Sequence, residues 1–221
     1  MKKLLLSVVF SVLYVTSASA DLGVNVGVSG NAGLFAASAH EKHTNTNGKT
    51  NAGTEHGSAG WGSIFIEKTI GDMLLVGIDY VPQALETDTT ETAKSDKRTA
   101  ASDAATQSTN KIQVDFENMT TMYVGARMGE HFYAKLGVMT VDVITNESLG
   151  TGGSYGNADL DGSMVGLGFN HSTDNGAFIR VEGNYISFDG VTKTNSNDSE
   201  KQIKLKNLDG VSGKISIGRS F

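Results

Sequence analysis

Eight segments of this chain place apolar residues at every second position, and this alternation limits its possible folds more than any other feature. Period-two alternation predicts β-strands with one apolar face and one polar face. A helical repeat of 3.6 residues is hard to find anywhere along the chain. The segments are residues 22–29, 57–68, 74–80, 111–126, 132–138, 165–170, 177–185 and 208–221. The sequence therefore predicts an all-β fold.

The faces of the second segment are ambiguous. Turning Ile64 and Ile66 outward directs Trp61, Phe65 and Glu67 inward. In the fourth segment one register continues through residues 111–126, which directs Asp115 and Glu117 to the polar face.

Short and long connections between the segments alternate without exception. The short ones are residues 69–72, 128–130 and 173–176, and the long polar ones are residues 40–56, 84–110, 145–159 and 189–206. Membrane barrels show this pattern, because their periplasmic turns are short and their external loops long. A soluble β-sandwich has no reason to follow it. Residues 86–110 contain too little apolar surface to order themselves, so we expect them to be mobile.

The N-terminus has the pattern of an export signal. Lys2 and Lys3 precede an apolar stretch over residues 4–15, and Ala18 and Ala20 form a small-residue cleavage pattern. We predict cleavage after Ala20, which leaves residues 21–221 as one domain. The alternative, an uncleaved anchor, is disfavoured because a spanning helix needs roughly 20 apolar residues.

Composition excludes several classes of function. The chain has no cysteine, so disulfides, zinc–thiolate sites and thiol chemistry are not expected. Without Lys2 and Lys3 it has 16 basic and 24 acidic residues, a net charge of −8. Nucleic-acid binding needs a basic face, so no nucleic-acid partner is expected.

A sheet in a bilayer must close, because every backbone donor and acceptor in hydrocarbon needs a partner. We therefore predict a closed antiparallel up-and-down transmembrane β-barrel of eight strands, with polar residues inside. An eight-stranded interior is filled by side chains, so inward charges should pair. The predicted lumen charge network consists of Asp79, Asp115, Glu117, Lys135, Arg180, Glu182 and Lys214. A salt-bridged plug is the favoured interpretation of this network, and a proton or ion path is the alternative.

Aromatic residues of membrane barrels gather at the two headgroup levels. The candidates here are Tyr80, Phe132, Tyr185 and Phe221, with Trp61 as a further one, whereas we expect Tyr133 and Phe178 to pack in the lumen.

With its signal peptide, eight alternating strands, three short turns, four long loops and terminal Phe221, the chain resembles the small outer-membrane barrels of the OmpA/OmpX/Opa type. The resemblance implies a bacterial outer-membrane location, contact with lipids and lipopolysaccharide, and assembly by periplasmic chaperones and the barrel-assembly machinery. In such families the last strand resembles an assembly signal, which Ile215, Ile217 and Phe221 match here. Arg219 departs from that pattern, since an apolar or aromatic residue is usual there.

Three functions are weighed against this background. A structural and surface-interaction role is preferred, in which the loops serve membrane integrity, adhesion or phage and host contact, with an extracellular ligand among the partners. A narrow porin-like channel for small solutes is one alternative, and an outer-membrane lipid-modifying enzyme is the other. A sideways path for apolar solutes would need an apolar lumen mouth, and the charged inward residues argue against one.

No catalytic site, cofactor or metal is expected. His40, His43 and His56 lie in or beside the first long connection, and histidines with such spacing can bind a metal. We disfavour a metal there because the segment offers no rigid element to fix the geometry.

Overall fold

A computed structural model describes residues 23–42, 50–98 and 104–221, so the predicted signal peptide and His43 lie outside the described residues. Within these ranges the chain forms ten strands. They are β1 (Val24–Lys42), β2 (Thr50–Ile70), β3 (Leu74–Tyr80), β4 (Leu85–Glu86), β5 (Thr90–Asp96), β6 (Thr106–Met128), β7 (Phe132–Ser148), β8 (Ala158–Ser172), β9 (Ala177–Thr194) and β10 (Gln202–Ser220). None of the described residues belongs to a helix long and apolar enough to cross a membrane.

The strands form one antiparallel ring with eight positions. β1 to β3 pair in sequence order, and so do β6 to β10; β3 pairs with β6, and β1 pairs with β10. The short strands β4 and β5 also pair with β6, so β3, β4 and β5 together occupy the third of the eight positions. The predicted all-β fold, a closed antiparallel ring of eight strand positions, is confirmed.

The strands are strongly staggered around the ring. Following directly paired residues once around leads from Gly60 on β2 back to Ile70 on the same strand, ten residues further along. Such a stagger requires the strands to tilt against the barrel axis, typically by about 35–45°.

The two ends of the ring differ. At the periplasmic turn end, the three predicted tight turns join β2 to β3, β6 to β7 and β8 to β9. In the last of these turns, Gly176 follows Asn175 and has a φ of 84°. Hairpin turns need positive φ angles, which Asn-Gly pairs adopt readily. The ring closes at this end through reciprocal backbone hydrogen bonds between Val24 and Phe221. The extracellular loop end has the four long connections.

Strands at the loop end run further than the sequence indicates. β5 pairs with β6 from Thr90–Ile112 to Asp96–Thr106, in a segment that we expected to be mobile. That expectation is wrong for residues 90–96 and 106–110. A polar segment can order without burying apolar surface when it pairs its backbone groups with a strand that is already held in the ring.

The outward face of the ring is apolar in a continuous belt. Large hydrophobic side chains there are exposed, as expected for a surface that contacts acyl chains. They include Leu34, Ile66, Leu74, Val76, Ile78, Met122, Val124, Leu136, Val138, Val165, Leu167, Ile179, Val181, Val211, Ile215 and Ile217.

A β-bulge in β6 overturns the single register assumed for residues 111–126. The pairing of β6 with β7 shifts between Glu117 and Thr120, and Asn118 adopts a φ of 53°. The extra residue exchanges the faces, so Phe116 turns inward and packs against the buried apolar residues of the lumen. Asp115 and Glu117 accordingly lie on the outer face, and their predicted place in the lumen network is wrong.

Candidate functional site

The lumen contains two layers of different chemistry. The layer near the turn end, here called the charged layer, consists of Glu67, Asp79, Lys135, Arg180, Glu182 and Lys214, all buried. The layer nearer the loop end, here called the apolar layer, consists of Trp61, Val81, Met119, Met139, Val141, Leu160, Met164, Ile186 and Phe188.

Glu67 and Arg180 form the central contact of the charged layer. The Arg180 guanidinium donates two hydrogen bonds to the Glu67 carboxylate, at 2.8 Å to Oε2 and 2.5 Å to Oε1. The exposed fractions of the two side chains are 0% for Glu67 and 5% for Arg180. Asn25 Nδ2 donates to Glu67 Oε1 at 2.7 Å, and the Tyr123 hydroxyl donates to Oε2 at 2.9 Å. Both carboxylate oxygens therefore have two donors, as a buried charge requires.

Two further ion pairs complete the charged layer. Lys135 lies 2.6 Å from Glu182, which also accepts a hydrogen bond from the Tyr133 hydroxyl at 2.8 Å. Lys214 donates to Asp79. With three cations and three anions, the layer has no formal net charge.

The sequence placed five of these six residues in the lumen and omitted the sixth. The structure brings Asp79, Lys135, Arg180, Glu182 and Lys214 together in the charged layer. The partner of Arg180 is Glu67, however, which the network omitted. The face assignment that turns Ile64 and Ile66 outward contained this signal, and the ambiguity of β2 concealed it.

The apolar layer shows that charged side chains do not line the whole lumen. Buried charges recur at the loop end, however, where Asp96, Asp198 and Lys201 lie, so the expectation that the lumen has no apolar mouth stays a prediction. Trp61 belongs to this layer, with its ring centroid 6.0 Å from that of Phe35, so it is not an interface aromatic. Tyr133 and Phe178 are buried inside the ring.

A small cavity of about 40 Å³ separates the two layers. Its lining includes Asn31, Asp79, Trp61 and Met164, together with Asn184, whose buried Oδ1 has no hydrogen-bond partner among the described residues. A volume of this size holds about one water molecule. The lumen is therefore filled by side chains over most of its length.

The wall of the ring is interrupted between β2 and the third position. Pairing of β2 with β3 ends at Ile64 and Tyr80, and two residues after Tyr80 comes Pro82, which has no N–H group. Among the described residues, β4 and β5 pair only with β6, and β2 above Ile64 pairs only with β1. We call this interruption the wall window. Ala59 and Leu85, on its two edges, pack against the apolar layer.

Ion pairs bound the wall window at the loop end. Lys94 on β5 lies 2.5 Å from Glu41 on β1. Lys201, on the connection before β10, lies 2.9 Å from Asp96 at the end of β5, and both of these side chains are only 4% exposed. These contacts hold β5 against the opposite part of the loop end.

The remaining predicted residues lie on the outer face. Phe132 and Tyr185 are exposed there, the Tyr80 hydroxyl donates to Asn118 Oδ1 at 3.3 Å, and the Arg219 guanidinium lies 5.8 Å from the centroid of the Phe221 ring. Their place at the headgroup levels stays a prediction. So does the role of Ile215, Ile217 and Phe221 as an assembly signal.

The two histidines of the first connection that the structure describes, His40 and His56, do not lie together. His56 is exposed, and His40 lies four pairs away along β1, opposite Ala52. Within the described ranges, no group of three or more His, Cys, Asp or Glu side chains is placed to hold a metal ion.

Comparison with known proteins identifies the fold. No family model and no curated protein sequence matches the chain. The outer membrane protein OprG of Pseudomonas aeruginosa is similar in structure, with a TM-score of 0.52 at 13% identity over 91% of this chain and 97% of OprG. The attachment invasion locus protein Ail of Yersinia pestis is less similar, with a TM-score of 0.37 at 9% identity over 88% of this chain and 99% of Ail.

The fold is that of small outer-membrane β-barrels, and the exposed apolar belt is the surface that such a protein presents to lipid. At 13% identity, the likeness to OprG shows the fold of this chain.

Proposed function

We propose that this outer-membrane barrel is a structural and surface-interaction protein with a lumen that does not conduct. The observation that supports this most is the charged layer, in which three buried ion pairs fill the ring near its turn end. A water-filled pore would leave these side chains hydrated and exposed. Closure of the lumen leaves the loop end as the surface available for contact with the surroundings.

The loop end is suited to such contact because it is polar and partly ordered. The third and fourth connections are joined by a hydrogen bond from Ser196 N to Ser154 O at 2.8 Å, and Ser154 N donates to Ser196 Oγ at 2.9 Å. Loops held by a rigid scaffold are the usual site of recognition in proteins. Membrane integrity, adhesion, and phage or host contact are the roles that this arrangement favours.

Single-channel recording on protein refolded from detergent into planar bilayers tests the closed lumen. We expect no steady conductance from the unaltered protein. The double variant Glu67→Ala/Arg180→Ala removes the central pair and should conduct if it stays folded. The matched control, Glu91→Ala/Lys111→Ala, removes an exposed pair on the loop end and should not. Steady nanosiemens steps from the unaltered protein would contradict the proposal.

The surface role is tested on cells with and without the gene. We expect a difference in adherence or in phage adsorption, with unchanged lipid A. Mass spectrometry that found an altered acyl chain in lipid A would favour the lipid-modifying alternative instead. The lipid, lipopolysaccharide, chaperone and assembly-machinery contacts stay predictions.

A second function is favoured by the wall window. An apolar layer that reaches the window at Ala59 and Leu85 offers small apolar solutes a way from the loop end sideways into the membrane, without crossing the charged layer. Uptake of naphthalene by cells tests this. We expect Ala59→Phe, which fills the window edge, to slow uptake, and Ala36→Phe on the outer face to leave it unchanged. Equal uptake with and without the protein would exclude this function.

A further inference from the structure

We propose that β4 and β5 form a hinged strap along one edge of the wall window, and that the ion pair between Asp96 and Lys201 holds the strap closed. The inference concerns the regulation of the second function proposed above. Movement of the strap can nevertheless be measured without any assumption about transport.

The strap has a hinge where it leaves the wall. β3 ends at Tyr80, and the three residues after Val81 are exposed and belong to no strand. The last backbone contact before this break is the hydrogen bond from Val81 N to Met119 O at 2.9 Å. Pro82 supplies no donor that could continue the pairing with β2. A break in backbone pairing next to exposed residues is a position where a segment can open locally.

Only one edge of the strap is held by backbone hydrogen bonds. Within the described part of the chain, β4 and β5 pair along β6, and their other edge, toward β2, has no strand partner. On that side, side-chain contacts take the place of a sheet. They include the ion pairs Lys94–Glu41 and Lys201–Asp96.

The two contacts differ in strength because they differ in burial. Lys94 and Glu41 are 25% and 32% exposed, whereas Lys201 and Asp96 are both 4% exposed. Exposed pairs contribute little, but removal of one partner from a buried pair leaves an uncompensated charge. Lys201 also donates to the backbone carbonyl of Lys97, directly after the strap. The Asp96–Lys201 pair is therefore the contact whose loss should release the strap.

Release of the strap would uncover the apolar layer. Leu85 on β4 packs against that layer, and Trp61 lies within it. Trp61 is the single tryptophan of the chain, so its fluorescence reports on this place alone. Acrylamide, a water-soluble quencher, reaches a buried indole only when the cover opens.

Acrylamide quenching of the refolded protein in detergent micelles tests the strap. For Lys201→Met and for Asp96→Asn we expect the Stern–Volmer constant to rise roughly threefold, because local opening becomes more frequent. Lys111→Met, which breaks the exposed pair with Glu91 on the same hairpin, is the matched control and should leave quenching unchanged. Heat-modifiable migration on gels shows that each variant has folded.

The charge swap Asp96→Lys/Lys201→Asp restores an ion pair and should return quenching toward that of the unaltered protein. Unchanged quenching in both single variants would overturn the inference, and so would an equal rise in Lys111→Met. Increased quenching together with naphthalene uptake that does not depend on the protein would keep the strap and reject the second function. Unchanged quenching together with protein-dependent uptake would reject the strap and keep the second function.

Discussion

At the scale of single residues, Glu67 shows how a buried charge is made tolerable. Its carboxylate is fully buried and accepts hydrogen bonds from Arg180, Asn25 and Tyr123. The charge of Arg180 is balanced by this one carboxylate, and Asn170 Oδ1 accepts from its Nε at 2.8 Å. Neither charge could therefore lose its partner without a large cost in stability.

We predict that Glu67→Gln lowers the free energy of unfolding by about 3–5 kcal/mol, because it leaves the Arg180 guanidinium buried without a counter-charge. Urea unfolding in detergent, followed by gel migration, measures the change. Glu91→Gln breaks the exposed pair with Lys111, which is 55% exposed, and should cost less than about 1 kcal/mol. Equal stability of the two variants would show that the charged layer does not stabilise the ring.

Tyr155, on the connection between β7 and β8, provides a test outside the membrane. Burial raises the pKa of its hydroxyl from 10.0 to about 12, and the nearby carboxylates of Glu41, Asp96 and Glu147 act in the same direction. Ionisation is therefore disfavoured in the folded state. The stability that this group contributes is complete below pH 10 and is lost as the pH rises toward 12.

The absorbance difference between the unaltered protein and Tyr155→Phe, recorded at alkaline pH, isolates this phenol from the other tyrosines. We expect a midpoint near pH 12. A midpoint at the ordinary value of 10.0 would mean that the connection does not bury the ring.

At the scale of the strand, alternation predicted the strands well but could not reveal where a register changes. The bulge at Asn118 has no signature in the pattern, because the residues on both sides of it alternate correctly by themselves. Alternation also does not show where the strands end. Polar strands such as β5 are ordered by pairing and by ion pairs with distant residues, which no local pattern records.

Cross-strand packing of an aromatic ring on glycine is a second feature that alternation does not reveal. Tyr133 is paired with Gly168, and a methyl group on Gly168 would overlap the phenol ring. We expect Gly168→Ala to displace Tyr133 from Glu182 and to cost about 1–3 kcal/mol of stability. A methyl group added to Gly183 would meet open space, so Gly183→Ala is the matched control for urea unfolding. Equal effects of the two substitutions would contradict this packing argument.

At the scale of the whole molecule, the closed ring could be predicted because the short and long connections alternate, and a membrane barrel explains that pattern. The interior could be predicted only in part. Five charged residues were assigned to the interior correctly, but the apolar layer was not predicted. Near the loop end the strands have apolar residues on both faces, and this conceals the period of two. The wall window depends on Pro82 and on pairing between distant strands, which the sequence leaves open.

Because β1, β2, β3 and the turn-end half of β6 complete the ring without the strap, we predict that deletion of residues 86–110 leaves a folded barrel. Heat-modifiable migration of the shortened protein should be retained. Its loss would show that the strap is needed for folding, and not only for covering the window.

The seam between Val24 and Phe221 has a consequence for biogenesis. Its two sides are nearly 200 residues apart, and β10 is synthesised after every other strand of the ring. Before β10 is added, the sheet has two edge strands whose unpaired backbone amides can pair with neighbouring chains, which favours aggregation. A chain that lacks β10 therefore has no partner for β1 or β9 at this seam, and we expect it to aggregate.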